Sequence, residues 1–211
     1  MIDDRRFAVR RAQALGVVAL LTFATGCSFF SKSQSRFYSL DRLPPAGAAS
    51  ASAPAPASTT GVRATPLGID GIELPPGLDR REIVVRKADH QTEIRSAEQW
   101  SAGFQELALH TLAFDLADRL PEGSVILPGE AKPLAPMRSI DVVFEELAAG
   151  PESAVVLDAR WVLRENGRPD VTHHERLTVA IPSLKSADVA TGVSQALAML
   201  ADRMAAQVGA P

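Results

Sequence analysis

The chain has 211 residues, 46% hydrophobic and 5% aromatic, with 22 basic against 25 acidic side chains and a formal net charge of −3. A mildly acidic chain whose basic residues do not cluster beyond its first turns argues against nucleic acid as the main partner. Sparse aromatics leave few stacking platforms, and the single cysteine, Cys27, has no intrachain disulfide partner.

Arg5, Arg6, Arg10 and Arg11 precede an apolar segment over 12–24, interrupted only by Gln13, Gly16 and Thr22. A basic region, a short apolar run and a small-residue exit form a secretory signal. The run is shorter than the ~20 residues that span a bilayer, which disfavours a permanent membrane helix. Ala24-Thr25-Gly26-Cys27 fits a bacterial lipobox. Residues 1–26 are therefore expected to be removed as a lipoprotein signal peptide, with Cys27 lipidated at the new N-terminus. Only a thiolate is alkylated in this way. Acyl chains such as palmitate contribute ~0.8 kcal/mol per buried CH₂, so two or three of them hold a protein on a membrane. The paired arginines raise the twin-arginine export route, although neither pair is followed by its usual pattern. Export otherwise follows the general secretory route. Ser28 follows the cysteine, and no Asp there signals inner-membrane retention. By resemblance to Gram-negative lipoproteins, this favours the outer membrane, facing the periplasm.

Residues 27–35 read as a tether, and 36–211 as a single domain. Arg36 to Asp41 alternates aromatic and polar residues and reads as a first strand. The Pro-, Ala- and Ser-rich stretch over 42–61 lacks the apolar surface to order itself and reads as a flexible loop. Its reach lets the first strand dock on its own domain or on a neighbouring subunit.

Val62 to Leu74 reads as a strand ended by Pro75-Pro76-Gly77. Arg81 to Lys87 and Thr92 to Ser96 form a hairpin across a polar turn. Trp100 to Leu120 is predicted as a helix, capped by Ser96 with Gln99 at the capping-box position. At helical spacing Trp100, Phe104, Leu107, Thr111 and Phe114 share one side, and Leu109, Leu112, Leu116 and Leu120 the opposite side. A helix apolar on two sides needs two partners: its own sheet, and a second helix or another protomer. A homo-oligomer is therefore expected.

Ser124 to Leu127 is a short strand and 128–136 a loop. Ser139 to Leu147, Ala154 to Arg164 and Val171 to Ile181 alternate as strands, with Asn166-Gly167 turning the second hairpin. Asp188 to Val208 is a second helix. The expected fold class is α+β: a mostly antiparallel sheet with two amphipathic helices packed on it.

No motif assembles a nucleophile, base and oxyanion site, so the chain is read as a non-enzyme with no cofactor and no metal. His173 and His174 are strand neighbours that point to opposite faces, which keeps them from sharing an ion. Glu145 and Glu146 are expected to diverge in the same way. Asp115 and Asp118 stand three apart on a helix, with Arg119 and Arg80 as neutralising partners.

Phe37-Tyr38-Ser39-Leu40, the run from Ile72-Glu73-Leu74-Pro75 through Leu78-Asp79-Arg80 to Ile83-Val84-Val85-Arg86, Gln99-Trp100, Val142-Val143-Phe144 and Leu157-Asp158-Ala159-Arg160-Trp161 align with a known family. The chain resembles the ABC-type transport auxiliary lipoproteins of the paraquat-inducible protein C type. Gly77 stands where that family usually carries an aromatic residue. The resemblance implies an outer-membrane lipoprotein that works with an MCE-type periplasmic protein and its ABC transporter in moving lipid between membranes. Some relatives form rings. The corner made by Leu74, Pro75, Leu78, Asp79 and Arg80, with Trp100, is the candidate partner-binding surface; the alternative is a plain strand-ending turn. A lipid-binding carrier is the alternative function.

Overall fold

The computed structural model describes residues 34–45, 65–134 and 137–209. The signal segment, Cys27, most of the tether and the Pro/Ala/Ser stretch from residue 46 onward lie outside them. The chain divides into units Met1–Gln34 and Ser35–Pro211; the second contains every element below.

The strands are β1 (Arg36–Tyr38), β2 (Leu67–Glu73), β3 (Glu82–Arg86), β4 (Thr92–Trp100), β5 (Val125–Ile126), β6 (Arg138–Gly150), β7 (Ala154–Glu165) and β8 (Val171–Ala180). Helix α1 (Phe104–Ala117) follows β4, and α2 (Ser186–Val208) follows β8. The eight strands form one sheet. The expectation of a mostly antiparallel sheet is overturned. Four of the seven strand pairings are parallel: β1 with β4, β2 with β5, β2 with β6 and β3 with β6. Only β3–β4, β6–β7 and β7–β8 are antiparallel. The antiparallel pairs are hairpins between neighbours in the chain. The parallel pairs join distant segments, because parallel strands need a long crossover.

The 13-residue β6 organises the sheet. One edge carries β7 along its whole length, from Arg138↔Glu165 to Gly150↔Ala154. The other edge is shared: β2 pairs with its first half, and β3 meets it at Ala149. The inward residues Val142, Phe144, Leu147, Val155, Leu157, Trp161, Leu177 and Val179 are buried beneath the helices. Helix α2 rests on β7 and β8, α1 rests on β2 and β5, and the helices pack against each other. Within the chain α1 thus has the sheet on one side and α2 on another, in line with the second-helix alternative.

The close seating of α2 depends on Gly192. A Cβ there would stand 2.5 Å from Ile181 Cγ2 and 2.8 Å from Val155 Cγ2, well inside van der Waals contact.

The expected start of the first helix is corrected. Ser96 to Trp100 remain in strand β4, and α1 begins at Phe104 after Gly103 with no side-chain cap. Gln99 closes no capping box; its Nε2 donates to the Ser96 carbonyl at 3.0 Å. Antiparallel pairing with β3 and parallel pairing of Glu98, Gln99 and Trp100 with β1 outweigh a local cap worth only about 1 kcal/mol.

Candidate functional site

Three places in the described domain hold the residues singled out in the sequence. The first is the corner after β2. Pro76 and Gly77 occupy the central positions of a turn closed by the Leu78 N–H on the Pro75 carbonyl at 3.2 Å, and Gly77 adopts φ +88°. Only glycine takes that conformation without strain. Leu74 and Leu78 pack half-buried on the core, Asp79 is exposed and Arg80 half-exposed. Pro75, Leu78 and Arg80 line a cleft of about 320 Å³ that continues to Ile94 on β4 and to Glu145 and Glu146 on β6. Ile94 is half exposed there. Trp100 does not join this surface. It is 5% exposed, its ring centroid lies 4.9 Å from that of Phe104, and its backbone N–H donates to the Arg81 carbonyl at 2.7 Å. It packs in the core and is not among the residues that line the cleft.

The second is a strap. Residues 41–45 run along both helices. Asp41 N–H donates to Ser194 Oγ on α2 at 3.0 Å, and Leu43 N–H to Asp115 Oδ1 on α1 at 2.9 Å. Arg119 Nη1 donates to the Leu43 carbonyl at 3.1 Å, while its Nε reaches Asp202 Oδ1 on α2 at 2.6 Å. Arg42 grips Asp118 with two donors and lies over the Phe114 ring. That pairing holds the Asp118 carboxyl below its ordinary range. Asp115 is fully buried, and burial pushes its carboxyl up to about 6 against the opposing pull of the Leu43 N–H and Arg119. The cations that serve these two aspartates are Arg119 and Arg42, where Arg119 and Arg80 were expected.

The third is the solvent face of β6, β7 and β8. The register shifts between Phe144 and Glu146, leaving Glu145 as the extra residue of a bulge. Phe144 and Leu147 both point inward, so Glu145 and Glu146 both face outward. The expectation that they diverge is corrected, because a bulge breaks strand alternation. Around them lie Arg86 (2.7 Å to Glu146), Arg160 (3.1 Å to Glu145) and Arg176 (2.6 Å to Asp158 and 3.1 Å to Glu146). His174 Nε2 stands 2.7 Å from Asp158 Oδ1 and 3.6 Å from Glu145 Oε2. His173 turns the other way and stacks on Trp161, with centroids 4.0 Å apart. The two histidines do face apart. Sequence reasoning missed that His174 meets carboxylates from other strands. The Asn-Gly hairpin carried part of that signal, since its register sets Arg160 opposite His174 and Asp158 opposite Arg176.

Among the described residues no helix is long and apolar enough to cross a membrane.

The fold has solved relatives. A crystal structure of an uncharacterized protein superposes with a TM-score of 0.64 at 17% identity, covering 83% of this chain and 99% of the other. A crystal structure of a Xanthomonas campestris protein of the family DUF330 gives 0.58 at 11% identity, covering 80% and 92%. At such identities the likeness shows the fold alone. No curated protein matches the sequence. The sequence profile of the ABC-type transport auxiliary lipoprotein component matches residues 49–205, from the Pro/Ala/Ser stretch to the last turns of α2 and well over half of the chain. The chain belongs to the ABC-type transport auxiliary lipoprotein family.

Proposed function

We propose that this auxiliary lipoprotein is anchored through a lipidated Cys27 in the outer membrane, faces the periplasm, and serves an MCE-type intermembrane lipid transport system as a docking component. The profile match over residues 49–205 carries this reading, since it ties the domain to ABC-type transport. The lipobox at Ala24 to Cys27 supports the anchor. A role in docking rather than catalysis is supported by the carboxylates of the domain, because Asp118, Glu145, Glu146 and Asp158 are each held by an arginine. Carriage of a lipid inside the domain gains no support from its interior. The space between sheet and helices is filled by Trp161, Phe144, Leu157, Leu197, Leu200 and Met204, none more than 1% exposed.

The partner surface is the corner from Leu74 to Arg80 with its adjoining cleft. It pairs a rigid turn with half-buried leucine and a cation, a composition that suits a protein partner. Full-length protein should co-purify with the MCE-type protein of the same cell. The double substitution Leu78→Asp, Arg80→Ala should abolish that association while leaving the thermal unfolding transition cooperative. Undiminished co-purification and unchanged envelope resistance would remove the corner as the interface.

A further inference from the structure

We propose that the solvent face of β6, β7 and β8 carries a site for a divalent transition metal of the zinc class, with Glu145, Asp158 and His174 as its protein ligands. Each comes from a different strand of three adjacent ones, and their ligand atoms all lie within 4.8 Å of one another. The bulge in β6 makes this possible, because it re-aims Glu145 onto the face that Asp158 and His174 share.

Each carboxylate is divided between two tasks. Glu145 gives Oε1 to Arg160 Nε at 3.1 Å, and its Oε2 faces His174 Nε2 at 3.6 Å. Asp158 gives Oδ2 to Arg176 Nη1 at 2.6 Å, and its Oδ1 faces the same nitrogen at 2.7 Å. The arginines thus hold the outer oxygens, and both free oxygens converge on one imidazole nitrogen. Fixing a ligand through its second atom is how the partners around a metal site orient its ligands.

Asp158 is 7% exposed, and its Oδ1 has the His174 Nε2 at 2.7 Å as its close neighbour, a contact that a cation seated between the two would replace. A tetrahedral zinc ion with bonds of about 2.0–2.2 Å places its ligand atoms roughly 3.3–3.6 Å apart. Of the observed separations, 3.6 Å lies at the top of this range and 2.7 Å is shorter than it. His174 is exposed and its ring is free to turn by the few tenths of an ångström required.

The donor set favours zinc over calcium or magnesium. Imidazole suits borderline transition ions, whereas hard ions need more oxygen ligands. Arg86, Arg160 and Arg176 offset Glu145, Glu146 and Asp158 in charge, so a hard ion held by charge alone would gain little here. Three ligands leave the fourth position open to solvent, where water completes the shell.

The test uses the full-length protein in detergent, without an affinity tag and after chelator treatment. Zn²⁺ is titrated against a chromophoric chelator near neutral pH, and Co²⁺ is added in parallel for its visible ligand-field absorption. The expected result is one tight equivalent of Zn²⁺, with a Kd of about 10 μM or below, and a visible Co²⁺ spectrum of low coordination number. His174→Ala and Glu145→Gln change exposed side chains and should each weaken binding at least about tenfold. Glu175→Gln, beside His174 but on the opposite face, should leave it unchanged. Absence of binding, or binding indifferent to His174→Ala and Glu145→Gln, overturns the assignment.

Discussion

Asp115 is a carboxylate with no exposure at all, one oxygen on the Leu43 N–H, and the other without a partner. Burial raises its folded-state value from the ordinary 3.8 to about 6. Between those two values the folded chain binds a proton that the unfolded chain does not. Stability therefore falls as pH rises through this window, and above it the cost is about 2–3 kcal/mol. Asp70, Glu93 and Asp118 act in the opposite sense. Their carboxyls are depressed by Lys132, by Lys87 and Arg95, and by Arg42 respectively, and their contributions are lost only as pH falls below the usual carboxylate range. Between pH ~7 and ~5 the Asp115 effect should dominate. The melting temperature is expected to rise on that descent and to turn down under stronger acid. Asp115→Asn keeps an acceptor for Leu43 without the buried charge. It should flatten the rise and melt no lower than the native protein near neutral pH. A native profile that is flat or falling between pH ~7 and ~5 would contradict this account.

At the scale of elements, the seat of α2 on the sheet is the most constrained contact. An alanine at Gly192 would gain about 1 kcal/mol of helix propensity. It would also drive a methyl into Ile181 and Val155, where overpacking costs about 1–3 kcal/mol. Gly192→Ala should therefore lower stability despite being the better helix former, as read by chemical denaturation. A gain would mean that α2 can shift outward freely. Elements of this kind were partly legible in the sequence. The alternation of Ile140, Val142 and Phe144 and of Val155, Leu157 and Trp161 gave β6 and β7 their inward faces, and Val189, Val193 and Leu197 gave α2 its buried one. The start of α1 was not legible, because the Ser96 and Gln99 cap signal is local whereas Gln99 is held in β4 by pairing with β3 and with β1, the latter far away in the chain. The bulge at Glu145 was hidden for a related reason: alternation holds on both sides of it, and only the inward return of Leu147 betrays the extra residue.

For the whole molecule, the sequence carried the family but not the sheet. The hairpins pair neighbours, and their turns mark them. The parallel contacts of β1, β2 and β3 depend on which distant strands meet, and no residue pattern in one strand specifies its partner. The site residues divide in the same manner. The Leu74 to Arg80 corner could be read from Pro-Pro-Gly, whereas the burial of Trp100 depends on where α1 begins. The proposed membrane attachment is tested on the complete chain. Cys27→Ser should move the protein out of the outer-membrane fraction, either released or held on an uncleaved signal. A variant that still fractionates with the outer membrane and still supports envelope resistance would contradict the anchor.

The strap over 41–45 has a mechanical consequence. Any force entering from the N-terminal side meets the three residues of β1 first, and next the bonds of Asp41 and Leu43 to Ser194 and Asp115. Those bonds end on both helices, and Arg119 ties the strap to Asp202 as well. A pull from that side is therefore shared between β4, through β1, and the two helices, through the strap.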